Sequence, residues 1–322
     1  MKKHMKSNND NALLVRSISY FVALAHNLSY TETAVQLGIS QPALTQQIKR
    51  LEEIVGTPLF SLEGKKIHLT DSGEIFLRAA QKVNGVFAEA NDEIKLIREH
   101  SHDVINIGVI SAMPANVLVD FIVKFRKNHP SVDFNIKSIL RHSLRFQLES
   151  DSTDILVLYL PDNSFAGLSK YRTNRISKSE MLLVSPFKIN NGNKVTLDEI
   201  HDYNWVGYPK GYYMDQIITE QCHDSNIFVP RYSARFSQVE NILTYGKKTK
   251  SIAAIPDTCL PFVKDGSYIY EFNPVIKFDV AIVYRTSKLK VPIINKCLNE
   301  FDLYLHQKDY LTRLKELVRE DT

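Results

Sequence analysis

Between Ser29 and Gly73 the chain carries two short apolar periodicities separated by one glycine, and this stretch limits the fold more than any other. In Thr31-Glu32-Thr33-Ala34-Val35-Gln36-Leu37-Gly38, Ala34 and Leu37 recur at helical spacing, and Gly38 supplies the backbone freedom of a tight turn. Ile39, Leu44, Ile48 and Leu51 then give a second helix one apolar side. Ser40 is its N-cap, and Pro42 lies in the first turn, where a missing N–H costs little. The spacing predicts a helix-turn-helix. Gln41, Pro42, Ala43, Thr45, Gln46, Lys49 and Arg50 are left on the open side, short polar, methyl-bearing and cationic groups that suit base edges and phosphates. Taken alone, the motif also fits a plain helical hairpin in a globular core.

The following residues narrow that choice. Gly56-Thr57-Pro58-Leu59-Phe60 reads as a turn and an apolar pair, and Glu63 to Gly73 as a hairpin with Gly64, Lys65 and Lys66 at its tip and Ile67 and Leu69 inward. A basic wing thus adjoins the second helix. The run Phe21…Ala25…Ser29-Tyr30-Thr31…Ala34…Leu37…Ser40-Gln41-Pro42-Ala43…Gln47-Ile48-Lys49…Leu51-Glu52…Gly56…Leu59-Phe60…Leu69-Thr70…Gly73 closely resembles the DNA-binding domain of the LysR-type transcriptional regulators. The resemblance implies a winged helix-turn-helix over residues 1–73 that contacts double-stranded DNA through Thr31, Gln41, Pro42, Ala43, Thr45, Gln46, Lys49, Arg50, Lys65 and Lys66. Two positions depart from the family pattern: Leu62 stands where an arginine is usual, and Thr33 where an alanine is usual.

Charge bears directly on that reading. Residues 1–73 hold 8 Lys and Arg against 6 Asp and Glu, a net +2, and the 322-residue chain carries only +4. Affinity for DNA must then come from a few well-placed cations and from more than one copy. The basic start Met1-Lys2-Lys3-His4-Met5-Lys6 runs into Ser7-Asn8-Asn9-Asp10, not an apolar segment, and the longest apolar run, Ile155 to Leu160, is far short of a membrane span. A cytoplasmic protein is expected, with no membrane partner. Cys222, Cys259 and Cys297 have no metal-like spacing and read as buried thiols, a redox role for Cys222 or Cys259 being the alternative.

Two helices flank the reading head. Ile18, Phe21, Val22 and Ala25 place one behind it, over 13–27, and Phe76, Ala80, Val83, Val86, Phe87, Ala90 and Ile94 predict another from Glu74 to about His100. The second either folds onto its own domain or pairs with a second subunit. The family resemblance implies the pairing, as a linker over 74–103 joining a homodimer or homotetramer.

From Val104 the chain alternates strands and helices. Strands at 104–110, 132–140 and 155–160 with helices between them predict a mostly parallel sheet, and a second set from Met181 to Ile255 predicts a second lobe. The fold class is therefore α + α/β. The pattern resembles the effector-binding domain of the LysR-type regulators, with the two-lobed architecture of periplasmic binding proteins: lobe one at 104–160 and 277–322, lobe two at 161–276, crossings at Leu160-Pro161 and Ile276–Asp279. The lysine run Lys247-Lys248-Thr249-Lys250 reads as a solvated loop.

Ligands of such sheets gather beyond the carboxyl ends of strands. Those points hold Ser111, Met113, Arg141, His142, Lys210, Tyr212 and Ser237, whose cations suit a small organic anion as effector; each residue singly is also ordinary loop chemistry. No catalytic residue, metal site or cofactor is indicated. The chain has no Gly-rich phosphate loop, G-x-S-x-G or H-E-x-x-H motif, so an enzyme built on the two lobes is the weaker alternative to a regulator.

Overall fold

The computed structural model describes residues 7–64, 66–97, 103–162, 165 and 168–320. The chain divides into two compact units, one comprising residues 1–98 with 145–152, the other residues 99–144 with 153–322. Lys65 and residues 98–102 lie outside the described residues.

The first unit opens with helices α1 (Ser7–Asn27), α2 (Tyr30–Leu37) and α3 (Gln41–Val55). A two-stranded hairpin follows, β1 (Phe60–Glu63) and β2 (Lys66–Leu69), and then α4 (Asp71–Ile97). Ser29 and Ser40 cap α2 and α3 by accepting the amides of Glu32 and Ala43, each at 3.3 Å. Between the two helices, Gly38 takes φ +67 and donates its N–H to the carbonyls of α2's last turn, a conformation that costs other residues a strained backbone. Phe21, Val22, Leu24, Leu44, Ile48, Leu51 and Leu59 are fully buried together. Each such side chain contributes about 1.5–3 kcal/mol relative to exposure. Thr33 is also fully buried, and its hydroxyl accepts from Asn27 Nδ2 at 3.1 Å.

The second unit runs β3 (Asp103–Ile110), α5 (Asn116–Asn128), β4 (Val132–Ile139) and β5 (Ile155–Leu160); between β4 and β5 the chain forms α6 (Leu144–Glu149), of which all but Leu144 falls in the first unit. It continues with β6 (Tyr171–Ser185), β7 (Lys194–Val195), α7 (Leu197–Ile200), β8 (Trp205–Gly207), α8 (Tyr213–Asp224), β9 (Tyr232–Arg235), α9 (Val239–Thr249) and β10 (Ala253–Pro256). β11 (Tyr268–Phe272), β12 (Lys277–Arg285), α10 (Pro292–Gln307) and α11 (Tyr310–Glu320) complete it. The strands order as β4-β3-β5-β12-β6-β11-β7, with β10 also paired to β6, while β8 and β9 form a separate parallel pair.

Two lobes result, and their boundary corrects the sequence reading. β6 is one strand of 15 residues: Tyr171 to Glu180 pair with β12 in the first lobe, and Met181 to Ser185 pair with β10 and β11 in the second. The passage between lobes therefore lies at Glu180-Met181 rather than at Leu160-Pro161, and the return is at Ile276-Lys277, where the Met181 amide donates to the Ile276 carbonyl. The first half of β6, Arg172 to Lys178, is polar and largely exposed, so it lacks the apolar alternation that marks a strand in sequence. The sheet is also mixed rather than mostly parallel. β3, β4 and β5 are parallel, but β12 returns from lobe two and lies antiparallel to both β5 and β6.

The lysine run is helical rather than a loop. α9 continues through Lys247 and Lys248 to Thr249, where cations complement the carboxyl end of the helix, and Lys250 stops it at φ +54. Beneath the first lobe, Lys288 Nζ lies 2.6 Å from Asp154 Oδ1 with both side chains fully buried. Asp154 Oδ2 accepts from the backbone and side-chain amides of Asn106, so the buried carboxylate is compensated on both oxygens.

Candidate nucleic-acid interface and inter-lobe cleft

The helix-turn-helix presents one finished surface. α3 buries Leu44, Ile48 and Leu51 completely, which fixes its rotation about its axis and turns Gln41, Pro42, Gln46, Lys49 and Arg50 outward. Ala43 and Thr45 are half-buried beside them, and Thr31 is exposed in the first turn of α2. Gln41 Nε2 donates to Thr45 Oγ1 at 3.1 Å, and the Thr45 hydroxyl donates to the Gln41 carbonyl, so the first turn of α3 is pre-ordered. Gln47 points the other way and accepts from Ser17 of α1 at 3.1 Å.

The hairpin is held to that helix by a residue the sequence reading passed over. Glu52 Oε1 accepts the amides of Leu59 at 2.7 Å and Phe60 at 3.2 Å, tying the start of β1 to the last turns of α3. The signal was available, because a carboxylate near a helix end beside a Gly-Thr-Pro turn is placed to take up free amides. Thr70 donates to the Pro58 carbonyl at 2.8 Å, and Gly73 allows close approach, since a Cβ there would lie 2.0 Å from the Leu59 carbonyl oxygen. The wing therefore has one register, Phe60 opposite Leu69 and Glu63 opposite Lys66, with Lys66 exposed near its tip. Leu62 is 76% exposed.

The second surface is a cavity of about 600 Å³ between the lobes. Ser111, Met113 and Asn116 line it from lobe one, with Ser138 at the end of β4, and Tyr212, Ser237, Gln238, Glu240 and Phe262 from lobe two. Four of the residues expected from sequence are thus brought together: Ser111, Met113, Tyr212 and Ser237. Two hydroxyl pairs order the walls, Ser111 with Ser138 at 3.0 Å and Tyr212 with Ser237 at 3.1 Å. The opening turns of α5 and α9 both face this lining, and neither is closed by a side-chain cap, at Ala115 or at Gln238. Backbone N–H groups at such ends attract an anion.

Arg141, His142 and Lys210 lie outside the lining. Arg141 is engaged elsewhere: its Nε donates to Asp162 Oδ2 at 2.8 Å, one terminal nitrogen donates to Gln216 Oε1 at 2.5 Å, and the guanidinium lies 5.0 Å from the Tyr213 ring centre. Asp162 is 1% exposed at its side chain, so the arginine is the counter-charge of a buried carboxylate and links the end of β4 to α8 across the lobes. His142 is exposed next to it, and Lys210 is exposed in the turn that Gly211 completes at φ +86. Sequence reasoning did not reach Ser138, which lies within β4, or Glu240, which lies in the first turn of α9, because it looked only just beyond the strand ends.

The thiols sit in apolar surroundings. Burial pushes Cys259 up to about 12, with Tyr208 Oη 3.9 Å from its sulfur, and burial likewise pushes Cys297 up to about 12 and raises Cys222. Such thiols stay protonated and are poor nucleophiles. Among the described residues no group of three or more His, Cys, Asp and Glu is placed to hold a metal ion, and no helix is long and apolar enough to cross a membrane.

Comparison with known proteins identifies the family of both parts of the chain. Residues 15–74 match the bacterial regulatory helix-turn-helix domain of the lysR family, and residues 98–302 match the LysR substrate binding domain. Over 214 residues, 65% of this chain and 71% of the relative, the sequence is 28% identical to an uncharacterised HTH-type transcriptional regulator, YybE, of Bacillus subtilis. Over 98 residues, 30% of this chain and 68% of the relative, it is 42% identical to the HTH-type transcriptional regulator BudR of Klebsiella aerogenes. Two solved structures share the fold. One is an OxyR mutant of Corynebacterium glutamicum with hydrogen peroxide bound, at TM-score 0.55, 17% identity and 95% of each chain. The other is a full-length OxyR mutant of Pseudomonas aeruginosa, at TM-score 0.54 and 19% identity over 90% of this chain and 94% of that one. With a winged helix-turn-helix ahead of a two-lobed α/β domain, and with the substrate-binding match alone spanning more than half of its length, the chain belongs to the LysR family of bacterial transcriptional regulators.

Proposed function

We propose that this regulator works in the cytoplasm as a homo-oligomer, reads operator DNA with α3 and the β1–β2 wing, and answers to a small anionic effector in the inter-lobe cleft, with no catalytic role. The observation that carries the DNA assignment is the fixed rotation of α3. Its buried Leu44, Ile48 and Leu51 leave Gln41, Pro42, Ala43, Thr45 and Gln46 toward base edges, and Lys49 and Arg50 toward phosphates. Thr31 contacts the backbone from α2, and Lys65 and Lys66 follow it from the wing. A second copy supplies the phosphate contacts that a +2 domain lacks, and α4 offers Ile75, Val86, Phe87 and Ile94 as exposed apolar residues over a helix of about 40 Å.

For the effector, Ser111, Met113, Tyr212 and Ser237 form the walls, and the uncapped openings of α5 and α9 receive the negative end. The test is selection of genomic fragments by the purified protein, followed by footprinting and sizing of the complex. An interrupted palindrome protected over two or more helical turns is the expected result. Equal affinity for selected and random DNA at every salt concentration refutes the reading.

A further inference from the structure

The apolar stripe of α11 is laid across the boundary between the lobes. Tyr310, Leu314 and Val318 recur every four residues and are buried, while Thr312, Lys315 and Glu316 face solvent. The helix packs against α5 of lobe one, against the helical turn Asp257–Phe262 of lobe two, and against β6, the strand the lobes share. Both outer partners also line the cleft: Pro114 and Ala115 lie at the entrance to α5, and Phe262 at the end of the turn.

The start of α11 is fixed on several sides. Asp309 caps the first turn by accepting the Thr312 amide at 3.0 Å. Arg313 Nε donates to the Lys308 carbonyl at 2.9 Å, and the guanidinium lies 3.6 Å from the Tyr304 ring centre, which ties the helix to the end of α10. Tyr310 Oη donates to the Pro114 carbonyl at 3.3 Å, so the first residue of α11 holds the lip of the cleft directly. Burial, and then the neighbouring Cys259 thiol of the helical turn, raise the Tyr310 hydroxyl above its ordinary range, and it stays a proton donor. A helix bound to both lobes resists any change in their separation, because moving either one uncovers part of its apolar stripe.

We infer that α11 is a clasp on the two lobes: docked, it holds the cleft at one width, and its release lets the lobes move about the Glu180-Met181 passage. The clasp concerns lobe motion and stands whether or not the cleft takes an anion. The Lys308–Glu316 ion pair, at 2.7 Å on the outer surface of the helix, contributes little and supplies the control.

The experiment follows amide hydrogen exchange of the full chain and, in parallel, the distance between spin labels at one exposed position of each lobe, Asn299→Cys on α10 and Lys248→Cys on α9. Labelled chain is diluted into unlabelled chain so that distances within one chain are read, and the native thiols are buried. Leu314→Ala should speed exchange in α11 at least about tenfold and broaden the lobe-to-lobe distance distribution. Tyr310→Phe removes only the bond to Pro114 and should broaden it less, while Glu316→Ala leaves both readouts as in wild type. If α11 exchanges faster and the distances stay those of wild type, the helix is a passive cover and the clasp is refuted. It is refuted equally if Glu316→Ala broadens the distribution as much, or if Leu314→Ala speeds exchange alike throughout the two-lobed domain. Should Leu314→Ala fail to fold, Tyr310→Phe decides alone, an unchanged distribution overturning the clasp.

Discussion

The reading head and the two-lobed domain solve the problem of presenting a site in opposite ways. In the head, the exposed groups of α3 follow one another along 10 residues, and their direction is set by three buried side chains on the same helix. In the two-lobed domain, the cavity wall comes from residues 111–116, 138, 212, 237–240 and 262, which share no element and meet only because the sheet brings strand ends together. A local site survives small errors elsewhere in the chain. An assembled site depends on every connection that holds the lobes, so the charges that maintain it are easily mistaken for charges that bind its ligand.

Arg141 is the sharpest place to break that contrast. Arg141→Ala removes the ion-pair partner 2.8 Å from the buried carboxylate of Asp162 and is expected to destabilise the two-lobed domain by about 3 kcal/mol, read from its chemical unfolding midpoint. Retained stability with lost effector binding makes Arg141 a ligand contact instead. The corresponding support in the head is Glu52. Glu52→Ala removes two charge-assisted bonds to the Leu59 and Phe60 amides and is expected to cost about 1.5–3 kcal/mol in thermal or chemical unfolding, with weaker binding to all DNA sequences.

Specificity should separate within the head itself. Gln41→Ala or Thr45→Ala should cost about 1–3 kcal/mol on the operator and much less on random duplex, whereas Lys66→Ala should weaken both alike and reduce the salt slope by about one unit. Competition binding at several salt concentrations checks this, and identical behaviour of the three variants refutes the division of roles.

The smallest expected effect is a pH dependence in α5. Burial raises the Asp120 carboxyl, but hydrogen bonds from Lys124 at 2.7 Å and Tyr304 at 2.6 Å outweigh it, and the net shift is downward. A depressed folded value contributes stability that is present above the ordinary carboxylate range and is lost as the pH falls through that range to the lower value. Asp120→Asn should therefore lower stability slightly near neutrality and flatten the acid limb of the unfolding curve, the two proteins converging at low pH. An unaltered acid limb overturns the assignment.

Much of the head was legible because its determinants are local. Ser40, Pro42 and Gly38 act on the backbone beside them, and the apolar spacing of α3 names its own buried face. The two-lobed domain was legible where the same held, as in the strands read at 104–110, 132–140 and 155–160. β11 and α11 went unread, and so did the first half of β6, whose polar residues meet solvent and carry no period-2 signal. The role of Arg141 was also hidden, because Asp162 and Gln216 are 21 and 75 residues away in the chain. No local rule says which of several cations a fold will neutralise.

The continuity of β6 through Glu180-Met181 has a mechanical consequence. Ladder bonds hold this strand to β12 on one side of the passage and to β10 and β11 on the other, so the lobes share a continuous strand. Closing such a cleft means bending and twisting a hydrogen-bonded ribbon, which behaves as a leaf spring rather than a free pivot. A ligand that draws the lobes together works against a restoring force, and its departure releases that force toward the open form.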